Sequence, residues 1–133
     1  MAGGIGSRFW PKSRASCQKQ FIDILNTGKT LIQSTYERYQ HFVPKENIYV
    51  VTTTDYIVIV QDQLQGINIE NIVSEPCRKN TAPSIAYISF KIIKNNPEAI
   101  LIVAPLDHLI LDNITYEQTC AKAIEFLEKN NAW

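Results

Sequence analysis

Residues 100–108 read Ile100-Leu101-Ile102-Val103-Ala104-Pro105-Leu106-Asp107-His108. Five apolar residues in a row, with no polar alternation, predict a strand buried on both faces. A strand of that kind belongs to a parallel sheet covered by helices above and below, and Pro105 ends it. Asp107 then falls in the loop at the strand's carboxyl end, where open α/β sheets bind their ligands.

Working outward, strand-like and helix-like stretches alternate. Residues 48–52 and 71–75 are short runs rich in β-branched side chains, both predicted to be strands. Thr30 with Gln33 forms a capping box that opens a helix to about residue 42, with Leu31, Thr35, Tyr39 and Phe42 on one face and Pro44 just past its end. Asn80 is read as the cap of a helix to about residue 94, with Pro83 tolerated in its first turn and Ala82, Ala86, Phe90 and Ile93 facing inward. Thr115 with Gln118 starts a last helix that carries Cys120, Ile124 and Leu127. Residues 55–64 are ambiguous: Ile57-Val58-Ile59-Val60 has strand propensity, whereas Tyr56, Val60 and Leu64 fall on one helical stripe. Residues 21–25 predict a short extended piece, and Asn26-Thr27-Gly28 a turn. The alternation predicts one α/β domain with a mostly parallel sheet between two helical layers.

Composition narrows the function. With 13 basic and 13 acidic residues among 133, the formal net charge is zero, which gives no general attraction to nucleic acid or an anionic membrane. Any anion site must be local. No apolar run approaches the roughly 20 residues of a membrane span. Cys17, Cys77 and Cys120 are odd in number and widely spaced, which points to free thiols in a reducing cytoplasm and away from a zinc site or disulfide framework.

The start of the chain offers such a local site. Gly3, Gly4 and Gly6 bring no side chains to pack, but they let bare backbone amides approach a ligand closely. A loop of that kind suits phosphate oxygens, with Arg8 and Lys19 adding positive charge; a flexible glycine-rich terminus is the alternative. The dinucleotide fingerprint fails because Phe9 stands where its third glycine belongs. Gly28-Lys29-Thr30 hints at a Walker A loop, whose first glycine would fall at Asp23.

Ala2-Gly3-Gly4-Ile5-Gly6-Ser7-Arg8-Phe9-Trp10-Pro11, followed by Ser13-Arg14 and Lys19-Gln20-Phe21, resembles the signature of the sugar nucleotidyltransferases. Glu75-Pro76-Cys77-Arg78-Lys79-Asn80-Thr81-Ala82-Pro83 and Ala104-Pro105-Leu106-Asp107-His108 resemble two later stretches of the same family, in the same order. Within it, the resemblance is strongest to the mannose-1-phosphate guanylyltransferase branch. It implies an incomplete Rossmann-like three-layer nucleotidyltransferase fold, with helix in the ambiguous residues 55–64 and Gly66 closing it. It also implies transfer of a nucleotidyl group from GTP to mannose 1-phosphate, releasing pyrophosphate. The amides around Ala2, Gly3, Gly4, Gly6 and Ser7 would then cradle the β- and γ-phosphates. Arg8 would neutralise the leaving pyrophosphate, Lys19 would sit over the α-phosphate, and Asp107 would hold Mg2+. On the residues alone, a helix cap or a solvated loop acid is the other reading of Asp107.

Glu75 invites a base contact, because one carboxylate can accept from both N1–H and the N2 amine of guanine. Asn80 and Thr81, at a helix N-terminus, would hold the rest of the nucleotide. Another sugar-1-phosphate nucleotidyltransferase and a non-catalytic nucleotide-binding remnant are the competing expectations. The resemblance further implies that the strand feeding the glycine loop, and the sugar-recognising part with a second metal-binding aspartate, lie outside residues 1–133. The chain is therefore expected to be a cytoplasmic, N-terminal nucleotide-binding piece, a homo-oligomer being possible, with little or no turnover alone. Cys17-Gln18 replaces the aromatic and proline that usually precede the signature lysine, which frees the backbone before Lys19.

Overall fold

A computed structural model describes residues 18–75 and 81–130. The expected phosphate and nucleotide contacts Ala2, Gly3, Gly4, Gly6, Ser7, Arg8 and Asn80 lie outside those residues.

Two strands pair in parallel: β1 (Val50–Thr53) and β2 (Ile72–Glu75), with Val50 opposite Ile72 and Thr53 opposite Glu75. Their alternating side chains serve two cores. Val50 and Ile72 turn to one face, where they join Phe21, Ile32, Tyr36, Val60 and Leu64. Val51 and Val73 turn to the other and meet Ile88. Helix α1 (Leu31–Gln40) and α2 (Ile57–Gln63) cover the first face, and α3 (Thr81–Ile93) covers the second. The α/β layering read from the sequence is present around this small sheet.

Local chemistry explains the boundaries. The backbone N–H of Thr30 donates to Gln33 Oε1 at 2.9 Å, and Thr30 Oγ1 accepts from the Gln33 amide, completing the capping box. Replacing Thr30 with Ala should cost about 1 kcal/mol, lowering Tm by about 4 °C in a thermal melt. The ambiguous stretch resolves as helix α2, preceded by a 3-10 turn at Thr54–Tyr56, and Gly66 follows at φ 86, in the left-handed region that closes helices. In the turn after residue 21, the Asp23 carboxylate accepts from the amides of Thr27 (3.0 Å) and Gly28 (2.7 Å). Those bonds, Thr27's first, hold the Asp23 carboxyl below its usual range. The two amides are thus engaged by a carboxylate of the chain itself, at the place where a Walker A loop would offer them to phosphate.

Five expectations are corrected. Residues 100–104 form no ladder among the described residues, because a strand exists only where a neighbour pairs with it. Helix α3 turns the opposite way: Phe90 is 74% exposed and Ile93 45%, Ala82 and Ala86 are exposed too, and Ser84 and Ile88 are buried. The helix is apolar on most of its circumference, so its inner face was set by what it packs against. On α1, Ile32 and Tyr36 are buried beside Thr35 and Tyr39, in place of Leu31 and Phe42. Helix α4 (Asn113–Asn130) begins before Thr115, capped by Asp112, whose carboxylate accepts from the Thr115 amide at 3.0 Å and its hydroxyl at 2.7 Å. Residues 21–25 likewise do not form a strand, and Phe21 closes a 3-10 turn at Lys19–Phe21.

Helix α4 lies beside α1 through polar and aromatic contacts. Arg38 Nε donates to Asn113 Oδ1 at 2.9 Å, and its guanidinium lies 5.7 Å from the Tyr116 ring centroid. The Tyr39 and Tyr116 hydroxyls share a hydrogen bond, and burial pushes the Tyr39 phenol far above its usual range, so it stays neutral.

Candidate functional site

Lys19 and Asp107, 88 residues apart in sequence, meet: Lys19 Nζ lies 2.6 Å from Asp107 Oδ2. Each is placed by a different part of the fold. Asp107 follows residues 100–104 and Pro105, and Leu106 beside it packs against the main core. Lys19 opens the 3-10 turn at Lys19–Phe21, whose neighbouring side chains are anchored inside. Gln18 is 1% exposed and Gln20 3%. Gln20 Nε2 donates to Gln18 Oε1 at 2.5 Å, and Gln18 Nε2 donates to the Tyr56 hydroxyl at 2.8 Å. Gln63 Nε2 donates to the Phe21 carbonyl at 3.0 Å, and the Phe21 and Tyr56 rings pack at 5.6 Å.

A buried amide hydrogen-bonded at both its oxygen and its nitrogen restricts the backbone that carries it. Gln18 therefore holds the backbone before Lys19 in place, where the sequence comparison with the family suggested a loosened one. The positioning roles of Gln18, Gln20, Tyr56 and Gln63 were missed from sequence. The one signal was the pair of glutamines flanking Lys19, which lets two amides point inward while the ammonium points out.

The pair sits at the surface, with the Asp107 side chain 44% exposed and that of Lys19 20%. The hydrogen bond from the Lys19 ammonium holds the Asp107 carboxyl below its usual range, and their Coulomb attraction adds to it. Asp107 is thus ionised at neutral pH. Because its folded-state value is depressed, the pair contributes above the ordinary carboxylate value of ~3.9 and is lost as pH falls through the lowered one. A carboxyl-detected NMR titration should place the Asp107 midpoint below the ordinary carboxylate value, and Lys19→Met should move it upward.

An ionised, solvent-reachable carboxylate suits magnesium, which typically takes only one or two protein carboxylates and completes its shell with phosphate and water oxygens. Asp107 fits that demand. No group of three or more His, Cys, Asp or Glu side chains among the described residues forms a metal cage.

The remaining candidates fall as follows. Glu75 is half-buried at the carboxyl end of β2, in register with Thr53. Thr81 is exposed as the first residue of α3. The glycine stretch with Ser7 and Arg8, and Asn80, lie outside the described residues. His41 is exposed and meets the Glu117 carboxylate at 2.9 Å. No helix among the described residues is long and apolar enough to cross a membrane.

The chain is 36% identical over 132 residues to alginate biosynthesis protein AlgA of Pseudomonas syringae pv. tomato, covering 97% of this chain and 27% of the relative. It is 41% identical over 114 residues to mannose-1-phosphate guanylyltransferase 2 of Escherichia coli O157:H7, covering 83% of this chain and 23% of that protein. A mannose-1-phosphate guanylyltransferase of Escherichia coli K12 is 36% identical over 132 residues, 96% of this chain and 27% of its own length. The chain thus spans about a quarter of the length of the curated relatives it matches. Residues 1–132 match the nucleotidyl transferase family model, and the chain belongs to that family.

Proposed function

We propose that this chain forms the nucleotide-binding part of an enzyme that transfers a guanylyl group from GTP to mannose 1-phosphate, giving GDP-mannose and pyrophosphate. The observation that carries the proposal is the Lys19–Asp107 pair, a cation and a metal-competent carboxylate brought together from opposite ends of the chain. The names of the relatives supply the base and the sugar.

The nucleophile is a phosphate oxygen of mannose 1-phosphate, already ionised at neutral pH, so no residue has to remove a proton. It attacks the α-phosphorus, a new P–O bond forms, and the bond to the departing pyrophosphate breaks. Catalysis is then positioning plus electrostatic stabilisation. Lys19, released from Asp107, lies against the α-phosphate oxygens. Arg8 faces the leaving pyrophosphate, and the amides of Ala2, Gly3, Gly4, Gly6 and Ser7 hold the β- and γ-phosphates. Asp107 would hold Mg2+, which when bound neutralises charge on the phosphate oxygens. Glu75 accepts from the guanine edge, with Asn80 and Thr81 supporting the nucleotide.

Calorimetric titration with GTP and magnesium, beside a pyrophosphate-release assay with mannose 1-phosphate, tests the proposal. Magnesium-dependent GTP binding with little or no release is the expected result for this chain alone. Absence of GTP binding overturns it. Replacing Glu75 with Gln should reduce the preference for GTP over ATP by about 10-fold, within the range for loss of a bidentate base contact. An unchanged preference removes Glu75 from base recognition.

A further inference from the structure

The Lys19–Asp107 pair differs from an ordinary surface ion pair. Exposed pairs contribute little, largely because two long side chains must be held in one geometry. Here both backbones are already held. The turn at Lys19–Phe21 is pinned by the buried side chains of Gln18 and Gln20, and by Gln63, which donates to the Phe21 carbonyl. On the other side Leu106 packs against the main core and brings Asp107 with it. The Lys19 side chain is mostly covered, at 20% exposed, while that of Asp107 stays open at 44%. The two groups therefore face each other at a separation set by the fold, and side-chain rotation is enough to part them.

That arrangement sets a charge condition on whatever approaches. An ammonium and a carboxylate in contact sum to zero. Lys19 is the dominant neighbour of the Asp107 carboxyl, through its hydrogen bond and then its charge, with His108 a smaller influence. Magnesium ligates a carboxylate oxygen directly, at ~2.0–2.1 Å, and Lys19 Nζ already lies 2.6 Å from Asp107 Oδ2. A free divalent cation would have to enter beside a positive charge and displace it, with no anion supplied in return. A cation chelated by a triphosphate differs in both respects. The chelate is anionic overall, so the ammonium attracts it, and its phosphate oxygens offer Lys19 a new acceptor.

We propose that Lys19 is a built-in competitor at Asp107, one that excludes free divalent cation and yields only to a cation already chelated by a triphosphate. In the exchange Lys19 passes from a carboxylate to a phosphate oxygen, which leaves Asp107 open as a ligand, and no covalent bond changes. The site then takes cation and triphosphate as one ligand, and entry of the metal ahead of the nucleotide is blocked. The proposal rests on the reading of Asp107 as the metal carboxylate, and on neither the base nor the sugar.

Manganese, whose paramagnetism broadens nearby resonances, serves as the probe. In the parent chain, Mn2+ with inorganic triphosphate should broaden the Asp107 carboxyl resonance at concentrations where Mn2+ alone leaves it unchanged. Lys19→Met should bind free Mn2+ at least ~10-fold more tightly than the parent, because a unit charge close to a dication opposes it by at least that much even in water. The gain should disappear in the double variant Lys19→Met/Asp107→Asn, which assigns it to this carboxylate. The parent measurement needs no variant, so a substitution that fails to fold leaves the proposal decidable. Broadening by free Mn2+ as strong as that by the chelate overturns it, and so does unchanged or weaker binding of free Mn2+ by Lys19→Met. A gain that survives in the double variant overturns it too. Silence of the chelate in the parent does the same, and silence of free Mn2+ in Lys19→Met as well removes Asp107 from metal binding. Absence of GTP binding with the expected manganese results would count against the nucleotide proposed above and leave the competition between Lys19 and the cation in place.

Discussion

In magnesium buffer, Asp107→Asn should weaken GTP binding by ~100-fold or more, since even outer-shell partners of a metal site are worth 10–100-fold. The informative part is the comparison without the metal. Lys19 Nζ sits 2.6 Å from Asp107 Oδ2, so in metal-free solution the ammonium must leave a carboxylate before it can contact a phosphate. Removing that carboxylate's charge removes this competitor, and metal-free triphosphate binding by Asp107→Asn should be equal to that of the parent or tighter. Lys19→Met should weaken binding under both conditions. Calorimetry of the parent and the two variants, with and without magnesium, reads out all of this. Equal loss by Asp107→Asn with and without the metal would remove Asp107 from metal binding.

Ile32→Ala should destabilise the fold by about 2–5 kcal/mol, the usual range for truncating a fully buried aliphatic side chain. Ile32 is 1% exposed and sits where α1 meets β1 and α2, among Phe21, Tyr36, Val50 and Val60. Against a total stability of roughly 5–15 kcal/mol, the loss should move the urea midpoint by about 1–2.5 M at an m of ~2 kcal/mol/M. Phe90→Ala is the matched comparison. Phe90 belongs to the face that the sequence pattern placed inside, yet it is 74% exposed, so its truncation should shift stability by no more than ~0.5 kcal/mol. Equilibrium unfolding in urea measures both. A larger loss for Phe90→Ala than for Ile32→Ala would mean that α3 packs on its other face.

The sequence alone determined what depends on a few neighbouring residues. The capping box of Thr30 and Gln33, the turn at residues 26–28, the two runs that became β1 and β2, and the loop position of Asp107 are all short-range consequences of side-chain size, hydrogen-bonding capacity and backbone preference. Shared signature stretches carried the family beyond that. Tertiary structure decided the rest. Helix α3 is apolar nearly all round, so only the sheet beneath it could choose Ile88 over Phe90. Gln18 and Gln20 are buried because Tyr56, far along the chain, accepts from Gln18, which in turn accepts from Gln20. Residues 100–104 have a strand's composition, yet backbone groups form a ladder only against a neighbour, and none of the described residues provides one. The signature stretches placed Lys19 and Asp107 on one ligand, but their direct ion pair across 88 residues is set by how the layers stack.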